Sequence, residues 1–441
     1  MSIIKNTVSI ILRDGITVIL NLIISIILAR SLGPDLLGIW FIFLTIFTLL
    51  DTFFRTKAET CSIYFSASGD MKIYDLERNL IIITICSILL MSITFFLGFE
   101  HIYNYFFNNV DVNYRSHLKL LLLTVSLSFI ATIYFYLWLG KEKFKFYNYS
   151  ILGQSIINFV LIIFLTFLYK DTVWVPLIAL TCSWFFAAIF GISFFRIKKY
   201  YLNTSNDYSL KNIPILLKGS MHVYSGAIIK SFQDQLPRLV ILYLFPINQL
   251  AFLGQSQLIM NLFIRFSTAV GNVLYPRLAS LDEKNQVSLI MQSIRISLII
   301  NSLIIILLTL TIDFLVSLVY VDEYSTMTLY LYFMLPSSLI LIQGLIMKQH
   351  INVRGDFKLK VILNLISCLG LVITLLFFYK DLENIHIAIA IAVSNILYTI
   401  TACIIFIYKY NIDITKMIPK RNDFRLIINF IRNFKLEKIS K

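Results

Sequence analysis

The chain has little charge, and its few cysteines and histidines are scattered. Of its 441 residues, 14% are charged, whereas soluble domains average about 25%. None of its five Cys forms a CxxC pair and its five His show no ligand spacing, so neither disulfides, a metal site nor a cofactor is predicted. The sequence also has no Walker motif, which argues against ATP hydrolysis by this chain.

Apolar residues are abundant instead and make up 58% of the chain. They form runs along its whole length, many of which reach the roughly 20 residues that cross a bilayer as a helix. Because lipid cannot satisfy exposed backbone groups, such spans are expected to be helices. The sequence therefore predicts an all-α polytopic membrane protein.

Twelve spans are predicted, and the first apolar run is expected to be retained as a span because it lacks a cleavage-like site. We expect a six-helix bundle over 1–196, a cytoplasmic linker over 197–216, a second six-helix bundle over 217–408 and a basic tail over 409–441. The spans are 8–29, 37–62, 79–98, 118–139, 149–169, 174–195, 217–244, 249–274, 287–311, 325–347, 359–379 and 385–408.

The loops between these spans differ in charge. Most of the 38 Lys and Arg residues lie in alternate loops and in the tail. The positive-inside rule then places the N- and C-termini in the cytoplasm. The net charge of +14 is explained by these membrane-flanking segments. Anionic lipid headgroups are therefore the expected partner, and not nucleic acid. The opposite loops hold only Arg30, Arg115, Lys119, Lys170 and Lys380.

Several ionisable residues lie inside the predicted spans. Each costs about 3 kcal/mol or more at the bilayer centre, so such residues normally face a water-filled cavity or one another. The cations are Arg13, Arg55, Lys57, Lys230, Arg238, Arg265 and Arg295. The acids are Asp14, Asp51, Glu59 and Asp234.

Span 2 carries Asp51, Arg55 and Glu59 four residues apart, which places them on one slowly drifting face of a continuous helix. An intrahelical ladder of ion pairs is one interpretation. It does not remove the cost of facing lipid, which favours a cavity-facing stripe. Lys57, near the inner end of the span, can also extend to the cytoplasmic surface.

Span 7 repeats the four-residue spacing with Lys230, Asp234 and Arg238. Lys230 lies about 20 Å from the predicted inner end of the span, too deep to reach the surface easily. Pro237 removes a helix hydrogen bond, and broken helices at membrane depth line cavities. Here too a cavity is favoured, with a structural ladder as the alternative. Asp234, an acid beside two cations, is the candidate ion-coupling residue, and Asp14, Asp51 and Glu59 are further candidates.

Four polar residues on other spans complete the candidate site. Asn261 and Arg265 are four residues apart in span 8, while Arg13 and Arg295 lie about 9 and 12 Å inside spans 1 and 9. For the last two, snorkelling to the cytoplasmic surface and facing a cavity are both open. Together the charges predict a cationic aqueous cavity between two six-helix bundles. Such a cavity selects an anion, and Arg suits phosphate because its planar fork binds two oxygens.

Two motifs add a family resemblance. The stretch ARSLGPDLLGIW (29–40) contains Leu32, Gly33, Gly38 and Trp40, and VLYPRLA (273–279) follows span 8. With twelve spans, these resemble the polysaccharide-transport branch of the MOP superfamily, and in character the Wzx-type O-antigen flippases. The resemblance covers nearly the whole chain.

The resemblance implies two six-helix bundles around a central cavity. It also implies a bacterial inner-membrane protein that flips undecaprenyl-pyrophosphate-linked repeat units, of O-antigen (lipopolysaccharide) or capsule type, by alternating access. Polysaccharide polymerase and chain-length proteins are the implied protein partners. The cavity cations would meet the pyrophosphate or acidic sugars. The tail segment 424–435 departs from a minimal flippase and is expected to lie on the inner leaflet.

Two other functions are weighed. A drug/cation antiporter of the MATE type should favour buried acids, but intramembrane cations outnumber acids here, and binding of cationic dyes would discriminate. A membrane polymerase or ligase of the same glycan pathway should carry a long polar outer loop with catalytic groups. The longest outer loop, 99–117, contains no catalytic pair, and its His101 and His117 are expected at the surface.

Overall fold

The computed structural model describes residues 2–68, 71–108, 110, 113–169, 172–197, 212–279, 282–320, 322–411, 413–420 and 423. In these ranges the regular structure is helical and contains no strand. Three short 3₁₀ turns lie at Asp322–Tyr324, Tyr379–Asp381 and Ile414–Met417. The helices are α1 (Ser2–Phe54), α2 (Ala58–Ser68), α3 (Ile73–Leu97), α4 (Phe99–Phe107), α5 (Arg115–Gly140), α6 (Phe144–Leu168), α7 (Trp174–Ile197), α8 (Asn212–Leu244), α9 (Ile247–Ala279), α10 (Glu283–Val319), α11 (Met327–Val353), α12 (Phe357–Phe377) and α13 (Asn384–Tyr408).

Among the described helices, nine are long and apolar enough to cross a membrane. The first of these candidate spans, Leu12–Phe54, has 43 residues and overlaps two of the predicted spans, 8–29 and 37–62. Helices α8 and α9, with 33 residues each, are long enough to cross a membrane but are more polar than the nine. They correspond to predicted spans 7 and 8. The predicted all-α polytopic membrane fold is therefore confirmed.

The two predicted spans within α1 are separated at Gly33. This residue has φ 70° and ψ 173°, a conformation that residues with a Cβ rarely adopt. Pro34 follows directly at the start of the next helical segment. Proline suits this position because it has no backbone N–H, and an N–H in the first turn would have no partner within the helix. The glycine of the first sequence motif is thus explained by backbone geometry.

Gly38, the second glycine of that motif, is explained by close packing. A Cβ at this position would collide with the backbone carbonyl of Ile247, the first residue of α9. The missing side chain therefore lets the second half of α1 approach the turn between α8 and α9.

The chain divides into two compact units, 1–254 and 255–441, and the boundary falls inside α9. The core of the first unit contains Leu76, Leu80, Trp138, Phe195 and Leu216. The core of the second unit is formed mainly by α10, α11 and α13 and contains Ile294, Ile342, Ile346, Tyr398 and Phe406. The predicted linker lies mostly outside the described residues, and a division there stays a prediction.

Replacing Gly38 by Ala should destabilise the protein, because backbone must shift to admit the methyl group. We expect a loss of about 1–3 kcal/mol, seen as a lower Tm in detergent. Gly15→Ala is the matched control, since nothing lies within 4 Å of a Cβ at that helical position. It should leave Tm unchanged or raise it, because Ala favours a helix over Gly by about 1 kcal/mol. Equal Tm values for the two variants would contradict this account of the motif.

Candidate functional site

The helical path breaks where predicted span 2 carries its charges. Helix α1 ends at Phe54, residues 55–57 are not helical, and α2 begins at Ala58. Lys57 has φ 58°, which is uncommon for a residue with a side chain. The Tyr224 hydroxyl of α8 donates a hydrogen bond of 2.6 Å to the Phe53 carbonyl at the end of α1. The expectation of one continuous helix over 37–62 is wrong, because this break interrupts it.

The charges around the break form an ion cluster of Asp51, Arg55, Lys57 and Glu59. Arg55 Nη2 lies 2.9 Å from Asp51 Oδ2, and its Nε lies 3.5 Å from Glu59 Oε1. Lys57 Nζ lies 3.1 Å from the same Asp51 oxygen. Arg55 also donates to Thr132 Oγ1 of α5 at 2.9 Å. Two cations and two acids make the cluster formally neutral, as the cost of buried unpaired charge requires.

Arg13 is likewise paired with an acid, and it packs against α6. Its side chain is almost fully buried and lies 2.6 Å from Asp14 Oδ1. It donates to Asn148 Oδ1 at 3.1 Å, and its guanidinium lies 4.6 Å from the centroid of the Tyr147 ring. Arg13 therefore does not snorkel to the surface, which was one of the two predicted alternatives.

Arg13 and the ion cluster have partners on two consecutive helices of the first unit. Arg13 contacts Asn148 and Tyr147 of α6, and Arg55 contacts Thr132 of α5. Both groups are therefore held by side chains of the protein.

The charges of α8 are more accessible. Lys230 Nζ lies 2.7 Å from Asp234 Oδ1, and the two side chains are 49% and 51% exposed. One turn later, the Arg238 guanidinium lies 5.2 Å from the centroid of the Phe41 ring. Helix α8 continues through Pro237. The prediction of a broken helix at this proline is therefore wrong, because the neighbouring residues keep helical geometry.

The remaining predicted residues lie in the second unit. Asn261 and Arg265 are exposed on α9. Arg295 of α10 binds the Asp423 carboxylate, with Nε at 2.7 Å from Oδ2, and donates to the Lys416 carbonyl at 2.8 Å. Burial acts to raise the pKa of Asp423, but the hydrogen bonds from Arg295 and from the Lys420 amide outweigh it, so the pKa lies below its usual value. Arg295 thus anchors part of the tail, while residues 424–441 lie outside the described residues.

Several polar partners were not predicted from the sequence. Glu77 is buried in α3, where the Tyr134 hydroxyl donates to it at 3.1 Å. It was assigned to a loop because the apolar run begins only afterwards, whereas the helix begins at Ile73. Asn148 and Thr132 carry no charge, so nothing in the sequence distinguishes them from other polar residues of the spans. No group of metal-ligating side chains occurs among the residues that the structure describes.

Comparison with known proteins gives the family. Residues 3–282 match the model of a family described as polysaccharide biosynthesis protein. The chain belongs to this family. The matched residues include every predicted site residue except Arg295. No curated protein matches the chain in sequence.

Solved structures with this fold include a flippase and several transporters. The lipid II flippase MurJ, in an inward closed conformation, is 15% identical with a TM-score of 0.75, covering 92% of this chain and 88% of its own. An inward-facing multidrug-resistance transporter of the MATE family is 15% identical with a TM-score of 0.75. That match covers 88% of this chain and 93% of the transporter. A MOP-superfamily transporter from Pyrococcus furiosus, whose binding pocket is described as having reverse polarity, is 14% identical with a TM-score of 0.66. That match covers 91% of this chain and 94% of the transporter.

These findings confirm the predicted resemblance to the MOP superfamily and its polysaccharide-transport branch. This member of the polysaccharide biosynthesis family is a multi-pass membrane protein, and its fold is shared with a lipid II flippase and a MATE-family transporter. The polymerase or ligase alternative is therefore not supported.

Replacing Arg55 by Met should destabilise the family member, because Asp51 and Glu59 would lose their shared partner. Removing one member of a buried ion pair costs about 3–5 kcal/mol, to be measured as loss of Tm in detergent. Thr132→Val removes the hydrogen-bond acceptor for Arg55 and a donor to the Ser128 carbonyl of the same helix, but no charge, and should cost about 1 kcal/mol. Adding Glu59→Gln to Arg55→Met should recover part of the loss, and no recovery would mean that charge balance does not stabilise the cluster.

Proposed function

We propose that this protein flips undecaprenyl-pyrophosphate-linked oligosaccharide repeat units across the bacterial inner membrane by alternating access. The repeat units are of O-antigen or capsule type, and the N- and C-termini are cytoplasmic. Membership of the polysaccharide biosynthesis family supports a glycan passenger. The fold shared with the lipid II flippase MurJ supports a passenger that is linked to a lipid.

The half-exposed pair of Lys230 and Asp234 is the observation that carries the proposal. Lys230 lies about 27 Å along α8 from its first residue, close to the middle of a helix about 50 Å long. A charge at this depth must meet water, an opposite charge or an anionic ligand, because lipid does not accommodate it. Since the protein leaves half of each side chain uncovered, this face of α8 has room for a polar passenger.

The energetics of the pair suit substrate exchange. An exposed ion pair contributes about 0–1 kcal/mol, so Asp234 holds Lys230 only weakly. A pyrophosphate brings more negative charge and several acceptor oxygens, and it can therefore replace Asp234 as the partner of Lys230. When Lys230 pairs with Asp234 again, the pyrophosphate loses its contact with the lysine, which favours its dissociation from the protein on the periplasmic side of the membrane.

The predicted cations divide by how firmly the protein holds them. Arg13, Arg55, Lys57 and Arg295 already have protein partners at short range, and their first role in the proposal is to shape and neutralise their surroundings. Lys230 is the proposed primary contact, with Arg238, Asn261 and Arg265 as further contacts on α8 and α9. A cationic central cavity remains a prediction, as do membrane lipids, a polymerase and chain-length proteins as partners.

The MATE-type antiporter is the second candidate because the fold matches both classes equally, with a TM-score of 0.75 to each. The charges favour the flippase. Within residues 1–254 each acid of the predicted set lies beside at least one cation, which leaves little negative charge for a cationic drug. Uptake of cationic dyes by vesicles containing the protein would favour the antiporter.

Lys230→Ala should abolish flipping in a strain that lacks the native gene, because the headgroup loses its accessible cation. We expect loss of surface polysaccharide and accumulation of single lipid-linked units that face the cytoplasm. Lys218→Ala, an exposed lysine near the start of the same helix, is the matched control and should restore both to wild-type levels. Normal polysaccharide in the deletion strain would reject a glycan passenger. If well-expressed Lys230→Ala restored polysaccharide fully, the pair of Lys230 and Asp234 would have only a structural role.

Asp234→Asn should separate coupling from binding, because it removes the acid but keeps Lys230. If Asp234 takes up and releases the coupling proton, export should persist at a reduced rate and lose its dependence on external pH. The measurement is polysaccharide export over a pH series in the complemented strain, with expression checked by immunoblot. Export with an unchanged rate and pH profile would show that Asp234 has no coupling role.

A further inference from the structure

Four chain segments that the sequence places outside the membrane meet at one end of the first unit. The start of the second half of α1, the helix α4, the start of α7 and the α8–α9 turn all contribute to it. Aromatic rings connect α1, α4, α5 and α7 at this end: Phe43 lies 5.3 Å from Phe107 and 5.8 Å from His117 of α5, whose ring stacks 3.7 Å from Trp174. The prediction of His117 as a surface residue is therefore wrong, while His101 is exposed as expected.

This end of the unit also contains a pocket of about 590 Å³ between α4 and the α8–α9 turn. Its volume falls within the range of about 300–1,000 Å³ that is typical of small-molecule sites. One wall comes from 242–247, and the other is formed by Asn104, Tyr105, Phe106, Asn108 and Val110. Both walls lie in the first unit, and neither belongs to the charged site described above.

The described residues of the pocket lining are uncharged, and they combine amides with aromatic rings. Asn104 and Asn108 are exposed and four residues apart, so their amides lie on the same side of the helix. Tyr105 and Tyr243 are 56% and 75% exposed. The described lining contains no Lys, Arg, Asp or Glu.

This chemistry matches a neutral sugar. Sugar hydroxyls both donate and accept hydrogen bonds, as do Asn amides and Tyr hydroxyls. The C–H faces of a pyranose ring are apolar and pack against aromatic rings, which present large, rigid apolar faces. A charged ligand would lose hydration without gaining a counter-charge, so the lining disfavours it.

Both walls are fixed before any ligand arrives. Helix α4 is anchored by the buried ring of Phe107, which lies 5.3 Å from the Phe43 ring of α1, and by a 2.8 Å ion pair between Glu100 and Arg115 of α5. The opposite wall is fixed where Ile247 packs against Gly38. A site formed in advance loses less conformational entropy when it binds.

We propose that this pocket binds uncharged sugar residues of the translocated glycan as it emerges on the outer side of the membrane. The inference rests on the proposed flippase function and adds a second contact for the same substrate. Lys230 would meet the anionic headgroup inside the membrane, and Tyr105, Asn108 and Tyr243 would meet the sugars outside it.

Site-specific photo-cross-linking in cells tests this directly. Tyr105 and Tyr243 are each replaced by p-benzoylphenylalanine in the strain that lacks the native gene, and the strain is irradiated while it makes polysaccharide. Tyr169, an exposed tyrosine at the end of α6 and outside the pocket lining, is the matched control position. The purified protein is then probed with an antibody against the host's own polysaccharide and analysed by mass spectrometry.

We expect glycan attached at positions 105 and 243, little at 169, and loss of the label when Lys230→Ala is added. Attachment of phospholipid or of another protein instead would overturn the proposal in favour of an interfacial aromatic anchor or a docking surface. Equal glycan at all three positions, or none at any while the strain makes normal polysaccharide, would also overturn it and leave the flippase intact. Normal polysaccharide in the deletion strain itself would instead remove the underlying function.

Discussion

An ionised side chain inside a bilayer must meet an opposite charge, water or a polar ligand, and the rest of this structure depends on that constraint. It explains why Arg55 lies between two acids and why Arg13 lies beside Asp14. It also bears on the break between α1 and α2. The chain leaves helical geometry at 55–57, where Arg55 and Lys57 can turn toward the same carboxylate, Asp51.

The same constraint separates two uses of charge. In the ion cluster, each cation is mostly covered by protein and the formal charges cancel, so the group stabilises the fold and leaves little capacity for a ligand. On α8, Lys230 and Asp234 form an equally short pair that remains half exposed. A short pair that water can reach is easily exchanged, which is what a transient anionic passenger needs. The functional proposal rests on this difference in exposure and not on the number of cations.

Much of this could be predicted from the sequence where the pattern was local. Apolar runs of sufficient length predicted the helices, and the four-residue spacing predicted the contacts of Lys230 with Asp234 and of Arg55 with both of its acids. Gly33 and Pro34 marked the division within α1. The break at 55–57 carried no such signal, since no Gly or Pro lies there, and Pro237 gave the opposite error because a proline does not always interrupt a helix.

Long-range partners could not be predicted in the same way. Arg13 meets Asn148, 135 residues away, and Arg295 meets Asp423, 128 residues away. No periodicity encodes such pairs, since they depend on how helices pack. The pocket beside α4 is a similar case, because its walls come from segments that only the fold brings together. The residues of each wall looked like ordinary loop-flanking positions in the sequence.

The most direct test of the central claim is a flipping assay with purified protein in vesicles. A fluorescent undecaprenyl-pyrophosphate-linked oligosaccharide is placed in both leaflets, and a reductant that cannot cross the membrane quenches only the outer one. With wild-type protein we expect nearly all fluorescence to be lost, and with Lys230→Ala only about half, as in protein-free vesicles. Equal loss with both proteins would contradict a role for the accessible lysine, and half loss with both would contradict flipping by this protein.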